Sequence, residues 1–299
     1  LNDRLKNIRK VFDPASIVYR DSANPEEISR YYRKNRLAYR LFNSHDGFVH
    51  MGISSNGKFS TRDFYEQALI VHRAIKTSKT KKVLELAPGK AATIKYLAQR
   101  NPKVEFHGID LKDGQLEAKN TIKNLKLDYG DYHDLSRFAD ESMDLIYVIE
   151  ALCHASNKQK VISEAKRVLR QNGRLIIIDG YYSKKSTELS PDQNLACRLV
   201  AKSMMVTDKN QTYEYLINSL KKEGFEIDEE IDYSKSILPS LYRLESKAKK
   251  LFERPRLAKF ITKVVGEIVT ANAIAGYLMP ICIQEGLFEY RYTLAMKTK

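Results

Sequence analysis

A short apolar run, a turn of small residues and a later acid are the features of this chain best suited to bind a ligand. The run 83–87 is followed by Pro88 and Gly89, and Asp110 ends a second apolar run. In nucleotide-binding βαβ units, a carboxylate about 20 residues beyond the turn accepts hydrogen bonds from ribose hydroxyls. The spacing therefore predicts an adenosine-type cofactor at the carboxyl edge of a parallel sheet, with Asp110 on its ribose.

Apolar strands alternate with helices around that turn and predict the elements that position it. The strands at 143–149 and 174–179 are almost wholly apolar, as expected when helices cover both faces of a sheet. The pattern predicts an α/β fold with a doubly wound parallel sheet, closed by a strand at 225–231 and an antiparallel final strand at 287–296. The other predicted elements are strands at 81–87, 104–109 and 124–129 and helices at 61–76, 91–99 and 158–170.

Helical segments flank and interrupt the strand pattern. A helix is predicted between Pro25 and Phe42, and two late helical segments cover roughly 183–212 and 233–285. Because ligands bind outside the carboxyl ends of strands in such sheets, we expect the late segments to lie over that edge. The predicted parts are a helical extension or lid at 1–80, a cofactor-binding core at 81–182, helical cap insertions with strand six at 183–286, and the final strand at 287–299.

Composition and cysteine spacing exclude several classes of protein. Of the 299 residues, 43% are hydrophobic and 29% charged. No apolar run approaches the length of about 18 residues that a bilayer span requires, and the first ten residues do not resemble a signal peptide. Cys153, Cys197 and Cys282 are far apart and form no C-x-x-C pair, which argues against a zinc site and a disulfide framework. We expect a cytoplasmic protein without a metal.

Basic residues are in excess and give a formal net charge of +14. Much of this charge lies in two segments, 30–40 and 247–263. A solvated basic surface is the simplest interpretation, and attraction to an anionic membrane surface or to nucleic acid are the alternatives. We expect no nucleic-acid partner, because the sequence has no RNA-recognition signature or zinc finger. Peripheral contact with an anionic membrane stays open.

The segment 81–182 resembles the core of class I S-adenosylmethionine-dependent methyltransferases, and the final strand resembles theirs more loosely. Ala87, Gly89 and Ala91 stand where the first motif of that family has glycines. Because alanine disfavours positive φ, we expect the turn to avoid the left-handed region at Ala87 and Ala91. The resemblance implies the family's Rossmann-like seven-stranded sheet, with helical cap insertions, and S-adenosyl-L-methionine as the cofactor.

The same resemblance implies roles for individual residues at the cofactor. Glu85 would organise the turn, Asp110 would hold the ribose hydroxyls, and Asp131 would accept a hydrogen bond from the adenine amino group. The complete implied set of cofactor-binding residues is Glu85, Ala87, Gly89, Ala91, Asp110, Leu111, Asp131, Tyr132 and Ile149.

A second resemblance concerns the acceptor of the methyl group. Residues 147–155 are similar to a segment of sterol C-methyltransferases, and residues 48–52 are similar to a His-x-Gly element of sterol and tocopherol methyltransferases. These similarities imply C-methylation of a small hydrophobic acceptor that is isoprenoid, sterol-like or otherwise lipid-like. Methylation of an alkene carbon creates a cation, which a carboxylate stabilises and a base deprotonates. Glu150 would be that carboxylate and His154 that base.

Aromatic and apolar residues outside the core complete the predicted site, although packing within the cap explains them equally well. The predicted substrate or lid residues are Tyr31, Tyr32, His50, Met204 and Met279, with Tyr19, Tyr39 and Phe42 as further lid aromatics.

Three other functions stay open. The chain could methylate an oxygen or nitrogen of a secondary metabolite, or it could be a catalytically silent binding protein, which the lost glycines suggest. The third is an NAD-dependent oxidoreductase, which would leave Asp131 and the final strand unexplained.

Overall fold

The computed structural model covers most of the chain, including nearly all of the predicted site. Tyr19 lies outside the described residues, as do the side chains of Tyr39 and Phe42, so the predicted lid role of these aromatics falls outside what is described. The described residues are 1–18, 24–42, 46–112, 115–206 and 211–298, with the backbone alone described at 25, 36–42 and 268–269.

Seven strands of the described chain form one sheet. They are β1 (Lys82–Leu86), β2 (Glu105–Asp110), β3 (Leu125–Tyr129), β4 (Met143–Ile149), β5 (Leu169–Tyr182), β6 (Phe225–Asp232) and β7 (Phe288–Lys297). Their order across the sheet is β3-β2-β1-β4-β5-β7-β6. The first five strands are parallel, and β7 runs antiparallel to both β5 and β6. The predicted mostly parallel sheet with an antiparallel final strand is confirmed.

Helices pack on both faces of this sheet and form a cap beyond its carboxyl edge. In chain order they are α1 (Asn2–Arg9), α2 (Pro14–Val18), α3 (Pro25–Phe42), α4 (Glu66–Thr77), α5 (Ala92–Arg100), α6 (Lys158–Val168), α7 (Pro191–Ser203), α8 (Tyr213–Lys222), α9 (Ser234–Phe252), α10 (Pro255–Val265) and α11 (Glu267–Gln284). The bounds of α3 are those predicted from the sequence.

Side chains of β4 alternate between two apolar layers, because successive residues of a strand point to opposite faces. Leu145 and Tyr147 pack into the layer beneath α4 and α5, whereas Ile146 and Val148 pack into the layer beneath α6 and α8. All four side chains are almost fully buried. Two-sided burial explains why this strand reads as a continuous apolar run and why its carboxyl end is held rigidly at the sheet edge.

A third apolar cluster joins the N-terminal helices to the late ones. It includes Ile8 of α1, Leu199 of α7 and Leu278 of α11, all nearly inaccessible to solvent. The start of α7 is set locally, because the Ser190 side chain accepts from the Gln193 N–H and proline follows at the first helical position. Helices that are distant in sequence therefore form one cap with a shared core.

Three further observations concern the classes considered from the sequence. Cys153, Cys197 and Cys282 are buried, and no disulfide joins them in the described chain. Among the described residues, no cluster of His, Cys, Asp and Glu has the geometry of a metal site. Within the same residues, every helix falls short of the length and apolarity that crossing a membrane would demand.

Candidate active site

The turn after β1 has the backbone geometry of a glycine turn, although two of its residues are alanines. Ala87, Gly89 and Ala91 have φ values of 55°, 58° and 60°. The expectation that Ala87 and Ala91 avoid the left-handed region is therefore wrong. Hydrogen bonds from the Ala87 N–H to Ile109 O and from the Ala91 N–H to Pro88 O, both 2.8 Å, fix the turn and outweigh a cost of about 1–2 kcal/mol per left-handed L-residue.

Asp110 ties this turn to the end of β2. Its carboxylate accepts from the Gly89 N–H at 2.7 Å and from the Leu111 N–H at 2.7 Å. Burial raises the pKa of Asp110 to about 6, against the opposing effect of these two hydrogen bonds. Each carboxylate oxygen has more than one acceptor site, so Asp110 retains capacity for ligand hydroxyls.

Glu85 lies beneath the turn rather than on its ligand side. Its carboxyl is buried and accepts from the Tyr147 hydroxyl at 2.9 Å. Burial raises the pKa of Glu85 to about 8. Ala91 is also fully buried, in the apolar layer beneath α5. Both predicted cofactor residues are thus buried inside the protein.

A single cavity opens along the carboxyl ends of the parallel strands and extends into the cap. Most of the predicted site residues line it, on the strand side and on the cap side alike. Among the described residues, Glu85, Ala91 and His50 are the predicted ones that do not. The predicted residues that do line it are Tyr31, Tyr32, Ala87, Gly89, Asp110, Leu111, Asp131, Tyr132, Ile149, Glu150, His154, Met204 and Met279.

Asp131 sits at the cavity wall after β3 in its ionised form. One of its carboxylate oxygens accepts from both the backbone N–H and the Nδ1 of His133, at 2.9 and 2.6 Å. These contacts lower the pKa of Asp131. The neighbouring Tyr132 donates its hydroxyl to the Ala151 carbonyl at 3.1 Å and so joins the segments after β3 and β4.

Glu150 follows β4 and is held from two directions. Its Oε1 accepts from the Met51 N–H at 2.8 Å and from the Tyr290 hydroxyl on β7 at 2.7 Å. Burial raises the pKa of Glu150 to about 7. Its φ of 47° lies in the left-handed region, an arrangement that costs free energy and is typical of functional positions.

His154 and Tyr32 form a hydrogen-bonded pair in the same cavity. The His154 Nδ1 lies 3.0 Å from the Met205 carbonyl oxygen. A carbonyl only accepts, so Nδ1 carries the hydrogen, and Nε2 accepts from the Tyr32 hydroxyl at 2.8 Å. Burial lowers the pKa of His154 to about 4, which keeps the imidazole neutral. Asn157 then caps α6 and ends the loop that carries His154.

His50 lies behind Met51, which itself lines the cavity. The His50 side chain is buried, and its Nδ1 is 3.1 Å from the Met51 carbonyl oxygen. Gln67 donates to that same carbonyl at 2.6 Å. Burial lowers the pKa of His50 to about 4. The role of His50 as a substrate or lid contact stays a prediction.

Asp179, at the end of the apolar part of β5, is a site residue that the sequence analysis missed. It lines the cavity and is buried, and its carboxyl accepts from the Cys153 N–H at 2.9 Å and the Gly180 N–H at 2.8 Å. Burial raises the pKa of Asp179. An acid at the carboxyl end of an apolar strand was a usable signal.

Gln115 is a second missed residue. It lines the cavity with only 5% of its surface exposed. Neither its amide oxygen nor its amide nitrogen has a hydrogen-bond partner among the described residues. A buried polar group normally has a partner, so this amide is available to a ligand. The sequence around Gln115 has no motif that would have indicated it.

Comparison of sequences places the chain among methyltransferases. A family model described as a methyltransferase domain matches residues 84–177. Sterol 24-C-methyltransferase of Debaryomyces hansenii is 27% identical over 270 residues, covering 83% of this chain and 70% of that protein. Demethylmenaquinone methyltransferase of Thermotoga maritima is 35% identical over 99 residues, covering 33% of this chain. The match spans only 43% of the Thermotoga protein's length.

Solved structures share the architecture at low sequence identity. The cyclopropane synthase MmaA2 of Mycobacterium tuberculosis superposes with a TM-score of 0.69 at 16% identity, covering 92% of this chain and 99% of that one. A geranyl diphosphate methyltransferase superposes with a TM-score of 0.68 at 14% identity, with the same coverage. The sheet order, together with these superpositions, defines a Rossmann-like methyltransferase fold. The methyltransferase domain at residues 84–177 and the sterol methyltransferase relative together support a class I S-adenosylmethionine-dependent methyltransferase.

Proposed function

We propose that this protein transfers the methyl group of S-adenosylmethionine to a carbon atom of a small hydrophobic acceptor that is isoprenoid, sterol-like or otherwise lipid-like. One observation carries the proposal. A single cavity joins the carboxylates of Asp110 and Asp131 to Glu150, to the Tyr32–His154 pair and to apolar residues of the cap. The sterol 24-C-methyltransferase relative supports a lipid-like acceptor.

The residues present at the strand edge suit S-adenosylmethionine, which when bound supplies an electrophilic methyl group on a sulfonium. Asp110 would accept from the ribose hydroxyls, and Asp131 would accept from the adenine amino group through the oxygen that His133 leaves available. The Gln115 amide, with both polar atoms lacking a partner in the described chain, would hydrogen-bond the same polar region. Leu111 and Ile149 would contact the cofactor through apolar surface.

The rest of the cavity favours a neutral, apolar acceptor. Val200, Met204, Ile237 and Met279 line it from α7, α9 and α11 and their flanking residues. Glu150 and Asp179 also line the cavity, and burial raises the pKa of both carboxyls. When ionised, these acids repel an anionic acceptor.

Glu150 would counter positive charge on the acceptor. Methylation of an alkene carbon leaves a cation, and a carboxylate in a site screened from water stabilises a cation strongly. Glu150 keeps its position because Met51 and Tyr290 both donate to the same oxygen, Oε1. The rings of Tyr32 and Tyr290 add π surface to the cavity wall, and such surface also attracts a cation.

Tyr32 and His154 are arranged to take up the proton that such a cation must lose. The Tyr32 oxygen would accept the proton from the carbon next to the cation while its own proton moves to His154 Nε2, and the C–H electron pair would become the new π bond. The Met205 carbonyl holds the Nδ1 hydrogen and so stabilises the imidazolium that forms. Because His154 is neutral near pH 7, its Nε2 is ready to accept.

Methyl-labelled S-adenosylmethionine, incubated with the purified protein and a panel of acceptors, tests this function. The panel contains a sterol with a side-chain alkene, an isoprenoid alkene, a phenol and an amine, and mass spectrometry locates the label. Label on carbon of an apolar alkene is the expected result. Label on oxygen or nitrogen would establish the alternative acceptor class. In the Glu150→Gln variant, turnover should fall while calorimetry shows unchanged cofactor affinity.

Alanines replace two glycines of the first motif, and this replacement is the observation that favours a catalytically silent protein. Ala87 and Ala91 nevertheless hold left-handed angles, and Gly89 keeps its N–H on Asp110. The turn therefore retains the shape that its glycines would give. If calorimetry showed no cofactor binding up to millimolar concentration, a catalytically silent protein would be favoured over a methyltransferase.

A further inference from the structure

Helix α10 presents an apolar face to solvent. Within the part of the chain that the structure describes, six large apolar or aromatic side chains are exposed, and four of them belong to this one helix. Leu257, Phe260, Val264 and Val265 are 46%, 65%, 67% and 47% exposed, respectively. Only Ala258 of α10 is buried. Isolated exposed apolar residues need no explanation, but a cluster marks an interaction surface.

The spacing of these residues makes the face continuous. Leu257, Phe260 and Val264 follow the positions i, i+3 and i+7 of one helix face, and the half-buried Ile261 fills position i+4. This is the pattern by which a helix normally packs on a core. In α10 it faces away from the protein: α10 packs against α9 and α11, and Ala258 is its one buried residue.

A stripe of basic residues borders the apolar face. Arg256, Lys259 and Lys263 are exposed and also follow an i, i+3, i+7 spacing. The segment that ends α9 and leads into α10 adds further cations, so 247–263 carries seven basic residues and one acid, Glu253. The basic members are Lys247, Lys249, Lys250, Arg254, Arg256, Lys259 and Lys263.

We infer that α10 lies in the plane of an anionic membrane surface, with Phe260 and its apolar neighbours among the acyl chains and the basic stripe at the phosphate level. A helix with an apolar face flanked by Lys and Arg has the character of an interfacial helix. Charge complementarity selects the occupant: each Lys or Arg near an anionic leaflet strengthens binding by about fivefold.

Two other occupants fit this surface less well. A second copy of the chain, packed face to face through α10, would bring two basic stripes together and so incur like-charge repulsion. Nucleic acid would pair with the basic stripe but would leave Phe260 and Val264 facing water or phosphate. The surface stands on exposure and charge alone, so it does not depend on the proposed methyl transfer.

A single fluorophore tests the inference, because the chain contains no tryptophan. In the Phe260→Trp variant, the sole tryptophan lies on the apolar face of α10. Vesicles of phosphatidylcholine and phosphatidylserine in equal parts should shift its emission to shorter wavelength, and brominated lipid should quench it. Tyr242→Trp, at a 41% exposed aromatic position on α9, is the matched control and should show neither effect.

Charge variants test the basic stripe separately. Lys259→Ala with Lys263→Ala should lower the partition coefficient on the same vesicles by about 25-fold at low salt. Lys221→Ala with Lys222→Ala, in the exposed last turn of α8, should leave it unchanged. Cosedimentation of the wild-type chain with vesicles gives the same readout without any substitution and covers the case in which a tryptophan variant fails to fold.

Four results would overturn the inference. The first is the absence of both an emission shift and cosedimentation with anionic vesicles, and the second is equal binding to pure phosphatidylcholine vesicles. The third is an emission shift of the Phe260→Trp variant that grows with protein concentration alone. The fourth is displacement from vesicles by duplex DNA. The third result would assign the face to a second copy, and the fourth would assign it to nucleic acid.

Discussion

Two alanines carry backbone angles that usually require glycine. Ala87 and Ala91 are left-handed; Ala87 donates its N–H to the Ile109 carbonyl of β2, and Ala91 donates to the Pro88 carbonyl within the turn. Alanine is the smallest residue with a Cβ, so this conformation brings the least additional crowding. The hydrogen bonds of the turn, rather than the intrinsic preference of its residues, therefore determine the conformation beside the Asp110 carboxylate.

Restoring a glycine should stabilise this turn. We predict that Ala87→Gly raises the free energy of unfolding by about 0.5–1 kcal/mol, since the relief of left-handed strain exceeds the added entropy of the unfolded chain. Urea denaturation measures the change. Ala139→Gly, in an exposed loop and not among the described residues with positive φ, should instead be neutral or destabilising. Equal effects of the two substitutions would show that the turn holds no such strain.

The carboxyl of Glu150 should make stability depend on pH. Its pKa is raised to about 7 from an ordinary value of 4.5. Between these values the native state holds a proton that the unfolded state has released, so this group's contribution to stability is lost as pH rises through the window. Glu150→Gln removes that loss. The variant should therefore gain on wild type by up to about 3 kcal/mol between about pH 4.5 and pH 8.

Urea denaturation of both proteins across this pH range measures the difference. His50 and His154, whose pKa values burial lowers to about 4, act in the opposite direction but cancel in the comparison because both proteins contain them. Glu226→Gln, at an exposed carboxyl on β6, is the matched control and should run parallel to wild type. A constant offset between Glu150→Gln and wild type would mean that Glu150 titrates normally.

Individual residues of the site differ in how far their roles could be predicted. Asp110, Glu150 and His154 follow apolar strands, and strand ends are visible in the sequence pattern. The hydrogen-bonding partners of these residues are not visible in the sequence, because the contacts join residues that are far apart along the chain. Glu150 meets Met51 across 99 residues and Tyr290 across 140, so only the folded structure brings these groups together.

At the scale of elements, helix α3 supplies Tyr32 and the segment after β4 supplies His154, the two members of the proposed proton-accepting pair. Tyr32 donates to His154, whereas the adjacent Tyr31 donates its hydroxyl to Asn272 of α11. Neighbouring residues of one helix thus serve two purposes. Tyr32 contacts His154 in the cavity, and Tyr31 anchors the helix to α11 of the cap.

This division gives a matched pair of substitutions. Tyr32→Phe should lower turnover by about 100-fold, as expected for the loss of a general base pathway, while cofactor affinity stays unchanged. Tyr31→Phe should lower the free energy of unfolding by about 1 kcal/mol through the lost hydrogen bond and leave turnover nearly unaffected. Single-turnover kinetics, calorimetry and urea denaturation separate the outcomes. Turnover that falls equally in both variants would reduce Tyr32 to a structural role.

The elements themselves were largely predictable, and the exceptions have physical causes. Long apolar strands such as β4 and β5 have a strong signal because both faces are buried. The left-handed turn was mispredicted because local preference favours other angles for alanine, and tertiary hydrogen bonds override that preference. The cap side of the cavity was the least predictable part, since its residues come from helices α3, α7, α9 and α11, which meet only in the cap.

At the scale of the whole molecule, the cavity couples ligand binding to stability. It is bounded by loops that follow several strands and by the cap, so an occupant bridges elements that separate on unfolding. A ligand at about 100 times its Kd adds about 2.7 kcal/mol to the free energy of unfolding. For a chain of this size that corresponds to a rise in melting temperature of roughly 5 °C. S-adenosylmethionine should produce such a shift.

Gln115 offers a sharper form of this test, because one substitution should raise the melting temperature without ligand and reduce the ligand-induced shift. Without ligand, Gln115→Leu replaces a buried amide that lacks a partner among the described residues with an apolar side chain of similar size, so the melting temperature should rise. With S-adenosylmethionine, the lost hydrogen bonds should weaken binding by about fivefold and shrink the ligand-induced shift. Differential scanning fluorimetry with and without cofactor measures both, and Gln99→Leu on the exposed side of α5 is the control. A variant that melts higher but keeps the full ligand-induced shift would remove Gln115 from the cofactor site and leave its buried amide as a feature of the empty fold alone.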